Sequence, residues 1–337
     1  MSRPIPIHHN MTRARFETEI EPGGQPAVLK GFVADWPAVA AGRESPEALA
    51  AYLGRFDSGR PVRTSIGAAS MKGRFTYADD FKGFNYDRVE IPLAELIDRV
   101  LKARGDPAAP HIYAGGVPEP AVLPGLAADN PMPLLDADKE RLTSLWIGNR
   151  SRTAAHWDLP QNLACVLAGR RRFTLFPIDQ IDNLYVGPLD FTPAGQAVSL
   201  VDFADVDHAR FPRFAQAQAH AQCADLAPGD ALFIPSMWWH HMEAQTPFNV
   251  LVNYWWRQAP AWANTPMDTL MLAIMSIRDL PPAERAIWRD VFRHYVFDYD
   301  EDTVAGHVPA PARRSLAPLD ETRAREIRAR LLKRLNR

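Results

Sequence analysis

The sequence contains 337 residues, with 38 lysines and arginines against 40 aspartates and glutamates, so its formal net charge is −2. This length allows one large or two ordinary domains with a sizeable buried core. The near-neutral charge argues against bulk electrostatic attraction to nucleic acid or to an anionic membrane.

Cysteine content and the pattern of apolar residues bear on the compartment. The two cysteines, Cys165 and Cys223, cannot form a disulfide framework, which indicates a reducing environment. The first residues lack the apolar run of a signal peptide, and no stretch reaches the ~18–20 consecutive apolar residues of a membrane span. We therefore expect a cytoplasmic protein that does not enter the membrane.

Proline is in excess, at 30 of 337 residues or about 9% against a usual ~5%. This content favours many short elements joined by rigid turns over a bundle of long helices. The apolar run 27–33 predicts a strand. Ser45, as an N-cap before Pro46, predicts a helix that ends at Gly54. A second helix is predicted after Pro92, where apolar residues recur at helical spacing.

The central part of the chain has a different pattern. Between about His111 and Trp256 the apolar segments are short and are separated by turn residues, which is typical of an antiparallel sandwich or barrel. After this region the helical pattern returns, with helix starts near Thr265 and Asp320. The predicted fold class is mainly β with flanking helices. We expect strands and helices packed on the core in 1–110, the β core in 111–260 and helices in 261–337.

His156, Trp157 and Asp158 form the first pattern with chemical content. Residues i and i+2 of a strand project to the same face, so the imidazole and the carboxylate could bind one ion while the indole points away. A His-x-Asp pair alone is weak evidence, because it occurs by chance and is more often a surface pair.

Two further histidines that could bind the same ion, His240 and His241, lie in the segment 238–243. Two histidines and one carboxylate form the facial triad of non-haem Fe(II) oxygenases, although zinc hydrolases also use this donor set. Adjacent residues of a strand face opposite sides. The more apolar neighbours of His240 favour it slightly as the inward-facing ligand.

Four motifs follow one another in the central region. They are Thr153-Ala154-Ala155-His156-Trp157-Asp158 with Gln161-Asn162, then Gly169-Arg170-Arg171-Arg172-Phe173 with Leu175-Phe176-Pro177, then Pro228-Gly229-Asp230 with Phe233-Ile234-Pro235 and Trp238-Trp239-His240-His241, and finally Val252-Asn253-Tyr254-Trp255. In this order they resemble the cupin-like branch of the JmjC 2-oxoglutarate oxygenases, which includes an asparaginyl hydroxylase. The resemblance is close over residues 110–260 and loose elsewhere.

The resemblance implies a double-stranded β-helix (the jelly-roll of cupin and JmjC proteins) with a C-terminal helical extension. It implies that His156, Asp158 and His240 hold Fe(II), and that the cosubstrates are 2-oxoglutarate and O₂. The residues that it places around 2-oxoglutarate are Tyr113, Thr153, Asn162 and Asn253, with Trp255 as a lesser candidate.

Arg171 stands where the family has a lysine for the distal carboxylate of 2-oxoglutarate. A guanidinium can bind a carboxylate through two hydrogen bonds, so the charge complementarity is retained. Arginine is bulkier and planar, so the exchange alters the shape of a tight site. We expect Arg171 to bind this carboxylate, with Arg172 or another base as the alternative.

Three functions are compatible with these patterns. The favoured one is an Fe(II)- and 2-oxoglutarate-dependent hydroxylase, a dioxygenase that acts on a protein or peptide side chain. A second is hydroxylation of a nucleoside or a small molecule. The third is a non-catalytic JmjC-fold protein used for sensing or interaction, which the arginine at the lysine position makes conceivable. The intact set of metal ligands argues against this third function.

The last predicted helix is rich in arginine and could contact nucleic acid. Glu321 and Glu326 interrupt its positive charge, and its apolar line suits packing on another helix. The resemblance implies a homodimer formed by C-terminal helices. We therefore expect a homodimer and consider nucleic-acid binding the weaker interpretation.

Overall fold

The computed structural model describes residues 3–136, 140–193 and 195–336. The chain divides into two compact units, Met1–Arg257 and Gln258–Arg337. Within the described residues, all fifteen strands lie in the first unit, and the second unit is helical.

The strands are numbered in chain order. They are β1 (Arg3–Pro4), β2 (Ile7–His9), β3 (Ala27–Lys30), β4 (Pro61–Gly67), β5 (Arg74–Phe75), β6 (Asp87–Pro92), β7 (His111–Pro118), β8 (Leu142–Gly148), β9 (Ser151–His156), β10 (Gln161–Ala168), β11 (Arg171–Phe176), β12 (Gln222–Leu226), β13 (Ala231–Ile234), β14 (Trp239–Ala244) and β15 (Asn249–Trp256). One sheet has six strands in the order β1-β12-β11-β14-β9-β5, and the other has nine in the order β2-β3-β13-β10-β15-β8-β7-β4-β6. The pairing is mostly antiparallel, and the two sheets share a core, which confirms the predicted jelly-roll.

Helices flank the sheets and form the second unit. The longer ones are α1 (Pro37–Glu44), α2 (Pro46–Gly54), α3 (Leu93–Lys102), α4 (Phe214–His220), α5 (Pro266–Ser276), α6 (Pro282–Phe292) and α7 (Glu321–Leu335). Shorter α-helices are Arg13–Arg15, Glu21–Gly23, Glu119–Val122, Leu126–Asp129 and Glu301–Ala305, with π-helical turns at Phe16–Ile20 and Arg293–Phe297 and 3₁₀ turns at Ala69–Met71, Ile178–Asn183, Ala310–Ala312 and Arg314–Leu316. The predicted start of α2 is confirmed, because the Ser45 side chain accepts a hydrogen bond from the Ala48 N–H.

Strand β10 shows how the sequence builds two layers of core. Leu163 and Cys165 belong to the larger apolar cluster beneath the helices, whereas Ala164 and Val166 belong to the cluster between the sheets. Alternate residues of a strand point to opposite faces, so a nearly continuous apolar run is buried on both sides. This double burial makes β10 a fixed wall of the interior.

The predicted strand 27–33 is shorter in the structure, where β3 ends at Lys30. The next residue, Gly31, has a φ of +66°, which breaks the extended conformation. Its N–H donates to the buried carboxylate of Asp230, which also accepts from the Ala227 N–H and from Lys30 Nζ. One side chain thus joins β3 to the turn before β13 and fixes the edge of the nine-stranded sheet.

The second unit has little core of its own. The helix starts predicted near Thr265 and Asp320 are found there, and both side chains accept hydrogen bonds from backbone N–H groups at the starts of α5 and α7. Among the described residues of this unit, only Val304 and Ala305 are buried. No helix in the described part of the chain combines the length and the apolar character needed to cross a bilayer.

Candidate active site

Two strands of the six-stranded sheet bring three possible metal ligands together. His156 ends β9 and pairs in register with His240 on β14, and Asp158 follows β9 by two residues. One ligand atom from each residue lies within 4.8 Å of the others. His240 Nε2 is 3.6 Å from Asp158 Oδ2, and the two imidazole centres are 4.3 Å apart. Two imidazoles and a carboxylate fit a non-haem iron ion.

Backbone carbonyl groups orient both imidazoles. His156 Nδ1 lies 2.9 Å from the carbonyl oxygen of Ala154, and His240 Nδ1 lies 3.0 Å from that of Trp238. A ring that donates its Nδ1–H to a carbonyl keeps the Nε2 lone pair for a metal. Burial, with a contribution from nearby His156, lowers the pKa of His240 to about 4. This imidazole is therefore neutral near pH 7, which is its metal-binding form.

His241 lies on the opposite face of β14. Its ring centre is 4.4 Å from that of Phe203, and its Nε2 is 3.3 Å from a carboxylate oxygen of Glu243. The two-residue period of the strand separates it from the ligand cluster, as the neighbouring residues indicated. His241 therefore packs against Phe203 and does not join His156, Asp158 and His240.

Two cavities adjoin the three candidate ligands. The smaller has a volume of about 40 Å³ and the larger about 660 Å³, and His156 and Asp158 lie in the walls of both. The residues that the sequence placed around 2-oxoglutarate divide between them. Thr153 and Trp255 line both cavities, Asn162 and Asn253 line the smaller, and Tyr113 lines the larger.

Arg171 is buried and contacts two residues of the smaller cavity's wall, Met242 and Trp146. Its Nη1 is 3.0 Å from the Met242 sulfur and its Nη2 donates to the Trp146 carbonyl at 3.3 Å, while its Nε has no hydrogen-bond partner among the described residues. Burial lowers the pKa of Arg171 to about 10, so the group stays charged at neutral pH. The buried Tyr113 hydroxyl also lacks a partner within the described chain. A buried cation and an unpaired hydroxyl fit a bound carboxylate.

Arg172, the alternative base, points outward from β11. Its Nε and Nη2 donate to the two carboxylate oxygens of Asp225 at 2.9 and 2.7 Å, on the exposed side of the sheet. Arg171 shares its strand face with the buried Phe173 and Leu175, and Arg172 does not. Of these two arginines, only Arg171 faces the interior.

Trp146 is a wall residue that the sequence patterns did not identify. It lines both cavities, and its indole N–H donates to Asn253 Oδ1 at 2.6 Å. Its position two residues before Gly148 on β8 has no motif of its own. Only its strand face could have indicated its place, because the registers of β8 and β15 put Trp146 and Asn253 on one face.

Aromatic side chains form much of the wall of the larger cavity. The rings of Phe84 and Phe191 stack with centres 5.1 Å apart, and Phe84 also stacks on Tyr86 at 5.4 Å. The Arg88 guanidinium lies 4.8 Å from the Phe84 ring centre. Phe84, Tyr86 and Arg88 come from one short segment and Phe191 from a loop far along the chain, so no local motif indicated that they form one wall.

Comparison with known proteins agrees with this geometry. The family described as "Cupin-like domain" matches residues 13–261, which includes every candidate ligand and all strands after β2. The chain belongs to the cupin-like, JmjC-type oxygenase family. The family assignment implied by the four sequence motifs is thereby confirmed.

Several curated proteins are similar to parts of this JmjC-type chain. "HSPB1-associated protein 1" of Homo sapiens is 36% identical over 115 residues, which are 34% of this chain and 23% of the human protein. "Lysine-specific demethylase JMJ31" of Arabidopsis thaliana is 25% identical over 293 residues, covering 78% of this chain and 51% of the plant protein. "Jumonji C domain-containing protein 5" of Drosophila melanogaster is 24% identical over 249 residues, covering 72% and 57%. The chain thus spans between about a quarter and three fifths of the length of these relatives.

Proposed function

We propose that this protein is an Fe(II)- and 2-oxoglutarate-dependent oxygenase that hydroxylates a protein or peptide side chain. The observation that carries the proposal is the placement of one ligand atom each of His156, Asp158 and His240 within 4.8 Å of one another, in a cavity wall whose Met242 and Trp146 contact the buried Arg171. This combination provides a possible iron site and a possible carboxylate-binding site inside the same β core. Family membership supports the same chemistry.

In the proposed mechanism, His156, Asp158 and His240 hold the iron, and Arg171 and Tyr113 bind the distal carboxylate of 2-oxoglutarate. Iron and 2-oxoglutarate supply the oxidising chemistry when bound, with O₂ as oxidant and succinate and CO₂ as by-products. The two imidazoles are held in orientation because their Nδ1 atoms face backbone carbonyls. The protein's contribution is to fix these groups and to exclude water from the reacting atoms.

The larger cavity is the proposed entrance for the substrate. Its volume of about 660 Å³ and its stacked aromatic wall suit one inserted side chain with its flanking backbone. Two similar proteins carry names that refer to lysine demethylation or to association with another protein, which supports a protein substrate here. A nucleoside or small-molecule substrate is the outcome that would replace this part of the proposal.

The test is conversion of 2-oxoglutarate to succinate by the purified protein with and without Fe(II), followed by mass spectrometry of protein, peptide and nucleoside pools. We expect iron-dependent succinate formation, stimulated by a protein pool that gains 16 Da. Stimulation only by nucleosides would overturn the substrate class. A lack of iron-dependent turnover with every pool would favour a non-catalytic JmjC-fold protein.

We further propose a homodimer formed through the C-terminal helices. The support is the exposure of large apolar side chains on this unit, including Ile287 at 63% and Met275 at 68%, with Leu331 and Leu335 on α7 at 42% and 50%. Apolar side chains repeated on unpartnered helices commonly mark a protein interface.

Replacement of both Leu331 and Leu335 by glutamate is expected to convert a dimer to a monomer, because charge at the apolar line of α7 opposes its burial. Light scattering coupled to gel filtration measures the mass of each form. Arg330→Glu on the same helix is the control for added negative charge and should leave the mass unchanged. A wild-type monomer, or a double variant that stays dimeric, would contradict the proposed interface.

We also infer a cytoplasmic location. Both cysteines are free thiols in the structure, with Cys165 buried and Cys223 partly exposed. Burial raises the pKa of the Cys165 thiol far above its ordinary value, so this thiol is an unreactive core group. Free thiols are typical of reducing compartments.

A further inference from the structure

Trp146 contacts one of the amides that line the smaller cavity. It pairs with Leu251 across β8 and β15, so Asn253 is its diagonal neighbour on the same face. The indole N–H donates to Asn253 Oδ1 at 2.6 Å. The distance is short for an N–H···O bond, and it joins a wall residue without any assigned role to a proposed cosubstrate residue.

The direction of this hydrogen bond is chemically fixed. An indole N–H can only donate, so the Asn253 amide must turn its oxygen toward Trp146 and its NH₂ group away. That NH₂ group lies 3.4 Å from Asn162 Oδ1. Because Asn162 accepts there, the group it has left for the cavity is its own NH₂. The chain of hydrogen bonds from Trp146 through Asn253 to Asn162 therefore leaves an N–H donor facing the cavity, which suits an anionic oxygen.

The indole is held in place by a bulge on the neighbouring strand. The register of β7 on β8 shifts between Ala114 and Val117, and Gly115 inside the shift lies next to Trp146. A Cβ atom on Gly115 would lie 2.7 Å from Trp146 Cζ3 and 2.9 Å from the Tyr113 hydroxyl. Only glycine gives the indole this space.

We propose that Trp146 is a positioning residue that sets the hydrogen-bond polarity of the 2-oxoglutarate pocket through Asn253 and Asn162. The inference rests on the proposed function, because 2-oxoglutarate is the anion concerned. Without the indole N–H, the Asn253 amide is free to flip and to present its oxygen to Asn162 and to the cavity. An acceptor in that position repels a carboxylate or a keto oxygen.

The test is Trp146→Phe, which keeps an aromatic ring and removes the N–H. The dissociation constant of 2-oxoglutarate, measured by calorimetry on the Mn(II)-loaded protein, is expected to rise about tenfold, as the loss of one well-placed hydrogen bond implies. The KM for 2-oxoglutarate should rise by the same factor, with kcat changed less than about twofold, because the role is in binding. Mn(II) affinity without 2-oxoglutarate should stay unchanged.

Trp36→Phe is the matched control. It removes an indole hydrogen bond of similar length, 2.9 Å to the Pro131 carbonyl, from a tryptophan outside both cavities, and should not alter 2-oxoglutarate binding.

Two results would overturn the inference for Trp146. The first is wild-type affinity in Trp146→Phe, and the second is an equal loss of affinity in Trp36→Phe. If the wild-type protein with Mn(II) does not bind 2-oxoglutarate at all, the proposed function itself is wrong. If the wild type binds it and Trp146→Phe binds it equally well, only the role of Trp146 is wrong.

Discussion

Replacement of His240 by alanine is expected to abolish iron-dependent succinate formation, whereas the same change at His241 should leave it intact. The two residues are adjacent on β14, but only His240 lies within 4.8 Å of His156 and Asp158. Loss of a partner that only orients a ligand costs about 10–100-fold in metal affinity, so loss of the ligand itself should cost more than about 100-fold.

The comparison is most informative when it is measured as metal binding. Titration of each variant with Mn(II) separates loss of the ligand from loss of stability, because His241 packs on Phe203 and its removal lowers the unfolding temperature without altering the ligand set. His156→Ala and Asp158→Ala should behave like His240→Ala. A His240→Ala protein that still binds Mn(II) like the wild type would exclude this cluster as the iron site.

Replacement of Arg171 by methionine is the second change with a large expected effect. The guanidinium is buried, charged and only partly hydrogen-bonded by the protein, so a carboxylate is its natural partner. Removal of one member of a buried charge pair commonly costs about 2–5 kcal/mol. We therefore expect the KM and the dissociation constant for 2-oxoglutarate to rise by more than about 30-fold, and Arg171→Lys, which keeps the charge but loses the planar two-hydrogen-bond geometry, to lose less affinity than Arg171→Met.

Arg172→Met is the matched control for this experiment. Arg172 is adjacent on β11 and forms an exposed pair with Asp225, and pairs of this kind contribute about 0–1 kcal/mol. The Arg171→Met protein should also be at least as stable to heat as the wild type, because a poorly paired buried charge is costly in the absence of its ligand. Wild-type affinity for 2-oxoglutarate in Arg171→Met would assign the carboxylate to another group.

These experiments also separate an enzyme from a non-catalytic relative. An arginine at the lysine position is the feature that made a non-catalytic protein conceivable. This arginine is buried near the Tyr113 hydroxyl, which has no hydrogen-bond partner in the described part of the chain, so the chemistry of a carboxylate site is preserved. Retained 2-oxoglutarate binding without succinate formation would point to sensing.

Two pairs of adjacent, chemically similar residues show which site assignments can be predicted from sequence. His240 and His241, like Arg171 and Arg172, differ in which strand face they occupy. For the arginines, the period-two alternation with Phe173 and Leu175 already indicates the inward member. For the histidines, the flanking residues give only a weak preference, and the pairing of β14 with β9 decides between them.

The sequence by itself determined the mainly β class and the N-cap at Ser45, because these depend on local periodicity and capping. Only the tertiary structure decided the position of Trp146 above Gly115, its bond to Asn253 and the aromatic wall of the larger cavity. The first two depend on strand register, which is set by packing across the two sheets, and the aromatic wall depends on the packing of loop residues distant in the chain.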